Sequence, residues 1–226
     1  VLGPFMKSDY SSEECDDQPD RSVRLRCKSK ERDNCGSRLS SHGHTGKGVY
    51  EVTMQGAYGE GIVTTWYLDT FGRLTSDKIL WNEVKFEIWG RECDDDESRI
   101  LTSYRVAGSN KTFDKIVTVD FDACDDWHTY TIVLGGNIIG WKIDGKIVRR
   151  QDMSDYDDFL RDVENDGFEV HAAMWGQDDE KTFDEGIGSM AMNDEDFPLY
   201  AWFANPRIPD MDEGSKAPYQ WVFDPS

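Results

Sequence analysis

The segment from Trp81 to Gly90 carries the side chains whose types and spacing suggest chemistry. Three charged residues, Glu83, Lys85 and Glu87, alternate there with apolar ones. Successive side chains of a β-strand point to opposite faces, so the three charged groups share one face. Two carboxylates on one open face are what glycoside hydrolysis needs, one as acid and one as nucleophile or base. By itself, an E-x-K-x-E pattern is more typical of a solvated strand face with alternating charges.

The separation of the two glutamates along the strand bears on this chemistry. Four residues of strand span about 13 Å, whereas retaining glycosidases hold their two carboxyl groups roughly 5–5.5 Å apart. Two glutamate side chains that lean towards each other cover most of that difference. The spacing of Glu83 and Glu87 is therefore compatible with a pair that acts on one glycosidic bond.

The elements that must position this motif are β-strands, because a period of two recurs along most of the chain. Asp144-Gly145 between two apolar runs predicts a tight hairpin. One short helix is predicted after Ser154, with Phe159, Leu160 and Val163 on one face. About a dozen strands with one short helix indicate an all-β fold, a two-sheet antiparallel β-sandwich. Strands are predicted at 49–54, 61–68, 81–89, 99–106, 116–121, 130–134, 138–143 and 168–174.

Length and charge limit the classes of partner. The chain has 226 residues, of which 38% are hydrophobic, and a formal charge of −20 at pH 7. We predict a single domain over residues 1–226, with 209–226 as a surface tail. The charge argues against nucleic acid and against anionic membranes, whereas neutral or cationic ligands are compatible with it. No apolar run approaches the roughly 20 residues that span a bilayer. No signal-like segment opens the chain at Val1, so we expect any export signal to have been removed.

The five cysteines indicate an oxidising compartment. Cys93 and Cys124 flank a predicted hairpin, and folding its strands back brings the two within disulfide reach. The turn of that hairpin carries Asn110 in an Asn-Lys-Thr sequon, an acceptor for N-glycosylation. Together these features predict a secreted, extracellular protein. Without a Cys-x-x-Cys pair or clustered histidines, a zinc site is not expected. The other three cysteines, Cys15, Cys27 and Cys35, leave one pair and one free thiol.

Further motifs stand in a fixed order around residues 81–90. They are residues 35–52, Gly61-Ile62-Val63-Thr64-Thr65, Phe121-Asp122-Ala123 followed by Trp127-His128-Thr129-Tyr130, Trp141-Lys142-Ile143-Asp144-Gly145, and Phe197-Pro198-Leu199-Tyr200-Ala201. The ordered set, which covers roughly residues 20–208, resembles glycoside hydrolase family 16, most closely its β-1,3-1,4-glucanases (lichenases) and their transglycosylase relatives.

The resemblance implies a concanavalin A-like jelly roll with a groove for a polysaccharide on one sheet, and it suggests a role for several residues. Glu83 would be the nucleophile and Glu87 the acid/base. Trp175 matches a tryptophan on which a sugar ring stacks, and Trp81 matches an aromatic residue of the cleft. Core packing is the alternative for both tryptophans. We add Arg38 and Ser103 to the substrate-binding candidates.

The resemblance also concerns a disulfide and a metal. Cys35 matches a cysteine that pairs with one upstream, which favours a Cys15–Cys35 bridge and leaves Cys27 unpaired in its strand. No cofactor is expected. Some family members hold a structural calcium ion on the convex side, and a comparable ion is compatible with this chain. The acidic run at residues 93–97 is interpreted as solvated surface.

Four positions depart from the family's pattern. Lys85 replaces a carboxylate, Arg38 and Ser40 stand at a Glu-x-Arg pair, and Ala173 replaces an asparagine. A cation between two glutamates favours the ionised form of both, which suits a nucleophile and impairs an acid. Three functions stay open. One is an endo-acting retaining glycosidase or transglycosylase on a β-glucan, impaired or altered by Lys85. The second is a non-catalytic extracellular carbohydrate-binding or matrix protein. The third is action on a sulfated or uronic sugar.

Overall fold

A computed structural model describes most of the chain. It covers residues 5–8, 16–17, 22–28, 35–41, 44–70, 73–74, 79–93, 96–109, 112–157, 159, 161, 163, 167–176, 195 and 197–209.

The described residues form sixteen strands, and each of the eight predicted strand ranges overlaps one of them. Some of these strands bury alternate residues between the two sheets, and others are buried along most of their length. The sixteen strands are β1 Phe5–Ser8, β2 Asp16–Asp17, β3 Val23–Cys27, β4 Gly36–Ser41, β5 Gly48–Gln55, β6 Ile62–Asp69, β7 Arg73–Leu74, β8 Ile79–Leu80, β9 Glu83–Cys93, β10 Ser98–Arg105, β11 Thr112–Val119, β12 His128–Gly135, β13 Ile138–Ile143, β14 Lys146–Asp152, β15 Glu169–Gly176 and β16 Leu199–Arg207.

Two seven-stranded antiparallel sheets pack face to face. The front sheet has the order β1-β4-β15-β6-β9-β10-β11, and the back sheet has the order β14-β13-β12-β5-β16-β3-β2. Strands β7 and β8 form a separate two-stranded ribbon. Neighbouring strands are often distant in sequence, as in a jelly roll, so the predicted all-β sandwich is confirmed. No helix among the described residues is long and apolar enough to cross a membrane.

Strand β9, which carries the glutamate motif, lies near the middle of the front sheet between β6 and β10. Val84 and Phe86 are fully buried between the sheets, and the Phe86 ring meets Tyr130 of the back sheet edge-on. Trp141, also on the back sheet, donates its indole N–H to the carbonyl of Lys85 at 3.1 Å. The back sheet therefore fixes the backbone of β9 at the position from which Lys85 projects.

Local turn chemistry acts as the sequence predicts. Asp144 and Gly145 both adopt positive φ, 49° and 76°, in the two-residue turn between β13 and β14, which is the conformation such a hairpin requires. The short helix is confirmed at residues 157, 159, 161 and 163, with Phe159 and Val163 buried. Leu160, the sequon at Asn110 and the proposed tail from 210 onwards lie outside the described residues.

One disulfide prediction is confirmed and the other is wrong. Cys93 and Cys124 are bridged, with Cα atoms 5.9 Å apart. Cys35 is bonded to Cys27 and not to Cys15, which lies outside the described residues. Strand β3 ends at Cys27 and β4 begins just after Cys35, so the connection between the two sheets brings these Cα atoms to 4.1 Å. The Cys15–Cys35 pairing suggested by the resemblance did not take this proximity of Cys27 and Cys35 into account.

Candidate functional site

A cleft of about 390 Å³ opens on the outer face of the front sheet. Strands β4, β15, β6 and β9 supply most of its lining, and Trp81 stands just before β9. The lining comprises Gly36, Ser37, Arg38, Thr65, Tyr67, Asp69, Trp81, Glu83, Lys85, Glu87, Ala173, Met174 and Trp175.

Strand register aligns the charged residues of β9 with polar residues of β6. Glu83 lies opposite Asp69, and Lys85 lies opposite Tyr67. Because directly opposed residues of antiparallel strands project from the same face, these side chains meet in the cleft. On the far side of β6, Trp175 lies opposite Val63. The β6–β9 and β6–β15 pairings therefore bring residues of β9 and of the distant strand β15 to the two sides of β6.

The Lys85 ammonium lies between the two glutamates. Its Nζ is 2.7 Å from Glu87 Oε1 and 3.3 Å from Glu83 Oε1. Those two oxygens can be separated by no more than the sum of these distances, about 6 Å. Inverting glycosidases space their carboxyl groups at roughly 6.5–9.5 Å, and retaining ones at roughly 5–5.5 Å. This upper limit lies below the spacing of inverting enzymes and is compatible with that of retaining ones.

Glu87 is more constrained than Glu83. Its second oxygen, Oε2, accepts a hydrogen bond of 3.2 Å from the indole N–H of Trp89, and the residue is only 5% exposed. Both oxygens of Glu87 therefore have a donor within the protein. The Glu83 side chain is 17% exposed and contacts Lys85 through Oε1.

Lys85 keeps its charge despite its burial. Burial opposes the ammonium, but the charges of Glu87 and Glu83 outweigh it, so the pKa of Lys85 is raised above its ordinary value. A lysine with a raised pKa is a poor proton donor at neutral pH. Lys85 thus acts as a fixed counter-charge to the two carboxylates.

At the β4 side of the cleft, Arg38 lies beside Tyr67, with 3.5 Å between its Nη1 and the phenol oxygen. Burial raises the pKa of Tyr67 to about 12, although Arg38 opposes that rise. Burial opposes the charge of Arg38, yet the contact with Tyr67 raises the pKa of Arg38 overall. Both groups therefore present hydrogen-bond donors at neutral pH, which suits recognition of sugar hydroxyls.

The structure brings most of the predicted site residues together. Six of the seven catalytic and substrate-binding candidates line the cleft: Glu83, Lys85, Glu87, Trp175, Trp81 and Arg38. Ser103 does not. It lies opposite Lys85 in register but is fully buried, and its hydroxyl donates to Asp114.

The two tryptophans occupy opposite parts of the cleft. Trp175 is partly exposed and packs against an apolar cluster of Val63, Trp89 and Leu101. Trp81 is also partly exposed, and the Arg105 guanidinium lies 4.5 Å from its ring centroid. Neither side chain is a fully buried core residue, so each presents surface to the cleft.

Three lining or supporting residues went unrecognised in the sequence. Trp89 supports Glu87, while Tyr67 and Asp69 line the cleft. The signal was available for Trp89, because it lies two residues after Glu87 and so shares its face. Tyr67 and Asp69 alternate in the same way on β6, but only the pairing of β6 with β9 shows that they face the glutamates.

A two-sheet antiparallel jelly roll with two glutamates in an open cleft on one sheet is typical of sandwich-type carbohydrate-active proteins. The family model for glycosyl hydrolases family 16 matches residues 6–191. The chain belongs to this family.

Individual relatives agree with this assignment. A β-glucanase of Bacillus subtilis is 32% identical over 114 residues, which is 50% of this chain and 43% of the relative. The matched part thus spans less than half of that relative's length. The solved structure of a Bacillus licheniformis β-glucanase superimposes on this chain with a TM-score of 0.64 and 24% identity. The match covers 90% of this chain and 92% of the β-glucanase chain. A Crh5 transglycosylase solved in complex with NAG matches with a TM-score of 0.64 and 18% identity, over 94% of this chain and 86% of the transglycosylase chain. The two solved structures share the fold.

Proposed function

We propose that this protein binds a β-glucan-type polysaccharide in the cleft and retains the catalytic pair of an endo-acting, retaining glycosidase or transglycosylase, slowed by Lys85. The position of Glu83 and Glu87 on either side of one ammonium carries the proposal. The β-glucanases and the transglycosylase to which the chain is similar support this class of substrate.

The charge of the cleft favours a neutral glycan. Its lining contains two basic side chains, Arg38 and Lys85, and three acidic ones, Asp69, Glu83 and Glu87. The basic groups are already close to acidic or phenolic partners. A sulfated or uronic polymer would meet net negative charge, so this substrate is disfavoured. Trp175 offers an indole surface on which the apolar face of a neutral sugar can stack.

Bond cleavage in this cleft would follow double displacement. Glu83, as the ionised carboxylate, attacks the anomeric carbon while Glu87 gives its proton to the departing glycosidic oxygen. Glu87, now ionised, then takes a proton from a water or from the hydroxyl of a second sugar, and that oxygen displaces Glu83. Hydrolysis and transglycosylation differ only in this acceptor. The first step requires Glu87 to reach the glycosidic oxygen, and both of its oxygens already contact Lys85 or Trp89.

A non-catalytic binding protein is the second candidate. It is favoured by the state of Glu87, whose two oxygens both accept from protein donors and which is nearly buried. A substrate oxygen would have to displace one of those donors before proton transfer. In this case the cleft keeps its stacking surfaces and polar groups, and the ion pairs serve only to hold the carboxylates in place.

We also propose that the protein is extracellular. Two disulfides, Cys27–Cys35 and Cys93–Cys124, support an oxidising compartment. The sequon at Asn110 is consistent with passage through a secretory route.

Binding and cleavage can be separated in one experiment. Affinity for soluble β-1,3-glucan and mixed-linkage glucan is measured by affinity electrophoresis, and reducing-end release is measured on the same polymers. Trp175→Ala should weaken binding severalfold, since loss of a stacking platform costs on the order of 1 kcal/mol or more. Trp127→Ala is the matched control, because Trp127 is 41% exposed and lies outside the cleft lining.

The outcomes distinguish the candidates. Slow release of reducing ends or of transfer products supports the catalytic proposal. Binding without release over long incubation supports the binding protein. Equal affinities for Trp175→Ala and wild type, with both proteins folded, would exclude the cleft as the binding site.

A further inference from the structure

Three side chains that commonly ligate metals meet beside the cleft: Asp69, Glu169 and His171. Asp69 ends β6 and lies directly opposite Glu169 at the start of β15. His171 follows two residues later on the same face, opposite Tyr67. One ligand atom from each of the three lies within 4.8 Å of the others.

Two carboxylates face one ring nitrogen in this cluster. His171 Nε2 is 3.2 Å from Asp69 Oδ1 and 3.5 Å from Glu169 Oε2. A ring nitrogen carries at most one hydrogen, so it can donate a well-aligned hydrogen bond to only one of these oxygens. A cation placed among the three atoms would satisfy both carboxylates and the nitrogen together.

The imidazole is held rigidly in this orientation. His171 is buried, its ring is stacked on Tyr67 with centroids 4.4 Å apart, and its Nδ1 is 2.8 Å from Ser40 Oγ. When Nδ1–H donates to the serine oxygen, Nε2 presents its lone pair to the carboxylates. Metal-binding histidines are oriented in this way by a partner on their second nitrogen.

We propose that Asp69, Glu169 and His171 form a binding site for one divalent transition-metal ion of the Zn²⁺ class. Bonds of about 2.0–2.2 Å in a tetrahedron place neighbouring ligand atoms roughly 3.3–3.6 Å apart. The separations of 3.2 and 3.5 Å between His171 Nε2 and the two carboxylates fit that spacing, and the carboxylate oxygens lie within 4.8 Å of each other. A ligand set containing imidazole suits zinc better than calcium or magnesium, which prefer oxygen ligands only.

The surroundings of the three residues are open enough to admit an ion, and they carry a net negative charge that the ion would neutralise. The side chains of Asp69 and Glu169 are 27% and 29% exposed, and Asp69 also lines the cleft. Arg38 is close enough for both carboxylates to act on its pKa. With a neutral His171, one negative charge remains in the group. The fourth coordination position would open towards the cleft, where a water or a sugar hydroxyl could occupy it. The site stands whether or not the cleft cleaves glycans.

Isothermal titration tests this on the full chain after EDTA treatment, dialysis and alkylation of free thiols. Zn²⁺ should bind saturably at one ion per chain, and Ca²⁺ should bind more weakly at this site. Asp69→Asn and Glu169→Gln keep the buried histidine and should each weaken Zn²⁺ binding tenfold or more. His128→Gln is the matched control, since His128 pairs with Asp144 alone, and it should bind like wild type.

Several results would overturn the proposal. These are no saturable binding by the folded wild type, full affinity in both carboxamide variants, or loss of binding in His128→Gln. Stronger binding of Ca²⁺ than of Zn²⁺ would likewise exclude a zinc-class site. Circular dichroism of each variant verifies that a loss of affinity is not a loss of fold.

Discussion

Replacing Lys85 with aspartate inverts the charge between the two glutamates and tests directly how this lysine affects catalysis. At the measured distances and an effective dielectric constant of ~20, the Coulomb attraction is about 6 kcal/mol with Glu87 and about 5 kcal/mol with Glu83. Removal of the groups from water offsets much of this attraction. The lysine is therefore a strong counter-charge between the two glutamates.

Lys85→Asp removes that attraction and adds a repulsion that favours a protonated Glu87. It also returns a short hydrogen-bond acceptor beside Glu83. The rate of reducing-end release on a mixed-linkage or β-1,3-glucan should therefore rise by an order of magnitude or more. Adding Glu87→Gln should abolish the gain, because the amide cannot donate a proton to the leaving oxygen.

Initial rates are compared over a range of pH for wild type, Lys85→Asp, the double variant and Lys115→Asp. Lys115 is exposed on the edge strand β11, so its replacement controls for the change in net charge. The reasoning is refuted if wild type already cleaves as fast as an ordinary β-glucanase and Lys85→Asp is slower. If Lys85→Asp binds glucan but stays inert, the binding-protein candidate is the better account.

Two further predictions concern stability. Gly90→Ala should lower the free energy of unfolding by about 1–3 kcal/mol, because a Cβ there would lie 2.4 Å from the carbonyl oxygen of Ala57. Gly140→Ala is the control, since its Cβ would make only an ordinary contact at 3.5 Å. Equal free energies of unfolding for the two variants in urea would contradict this prediction. Because the pKa of Lys85 is higher in the folded state than in the unfolded state, its ammonium stabilises the fold. This stabilisation is complete below the pKa of the unfolded state, about 10.4, and is lost as the pH rises towards the pKa of the folded state. Any difference in the free energy of unfolding between wild type and Lys85→Met should therefore be constant from pH 7 to 9 and smaller at pH 11. A difference in urea midpoints that stays the same from pH 7 to 11 would argue against the charge effect.

Much of the site is predictable from local rules. Alternation along a strand places Glu83, Lys85 and Glu87 on one face without any knowledge of the neighbouring strands. The Asp144-Gly145 hairpin and the Cys93–Cys124 bridge follow from turn chemistry and from the meeting of two strands next to each other in the chain. These predictions depend on the backbone geometry of short segments.

Other features depend on which strands become neighbours. Trp175 reaches the cleft because β15 inserts between β4 and β6, and Asp69 meets Glu169 through the same insertion. Ser103 shares the face of Lys85 but is covered, since β11 continues the sheet and supplies Asp114 to its hydroxyl. The alternation of residues along a strand predicts neither the burial of Ser103 nor the contact of Asp69 with Glu169, which lies a hundred residues away.

Local sequence rules predict a sandwich of alternating strands with two glutamates and a lysine on one face. Three contacts emerge only from the folded chain: the lysine contacts both carboxylates, Trp89 donates to the second oxygen of Glu87, and Cys27 bonds to Cys35. The two groups of features differ in the range of the interactions that set them. The direction of a side chain is set by the dihedral angles of its own strand, whereas its contacts are set by strand order and by the return path of the chain between sheets.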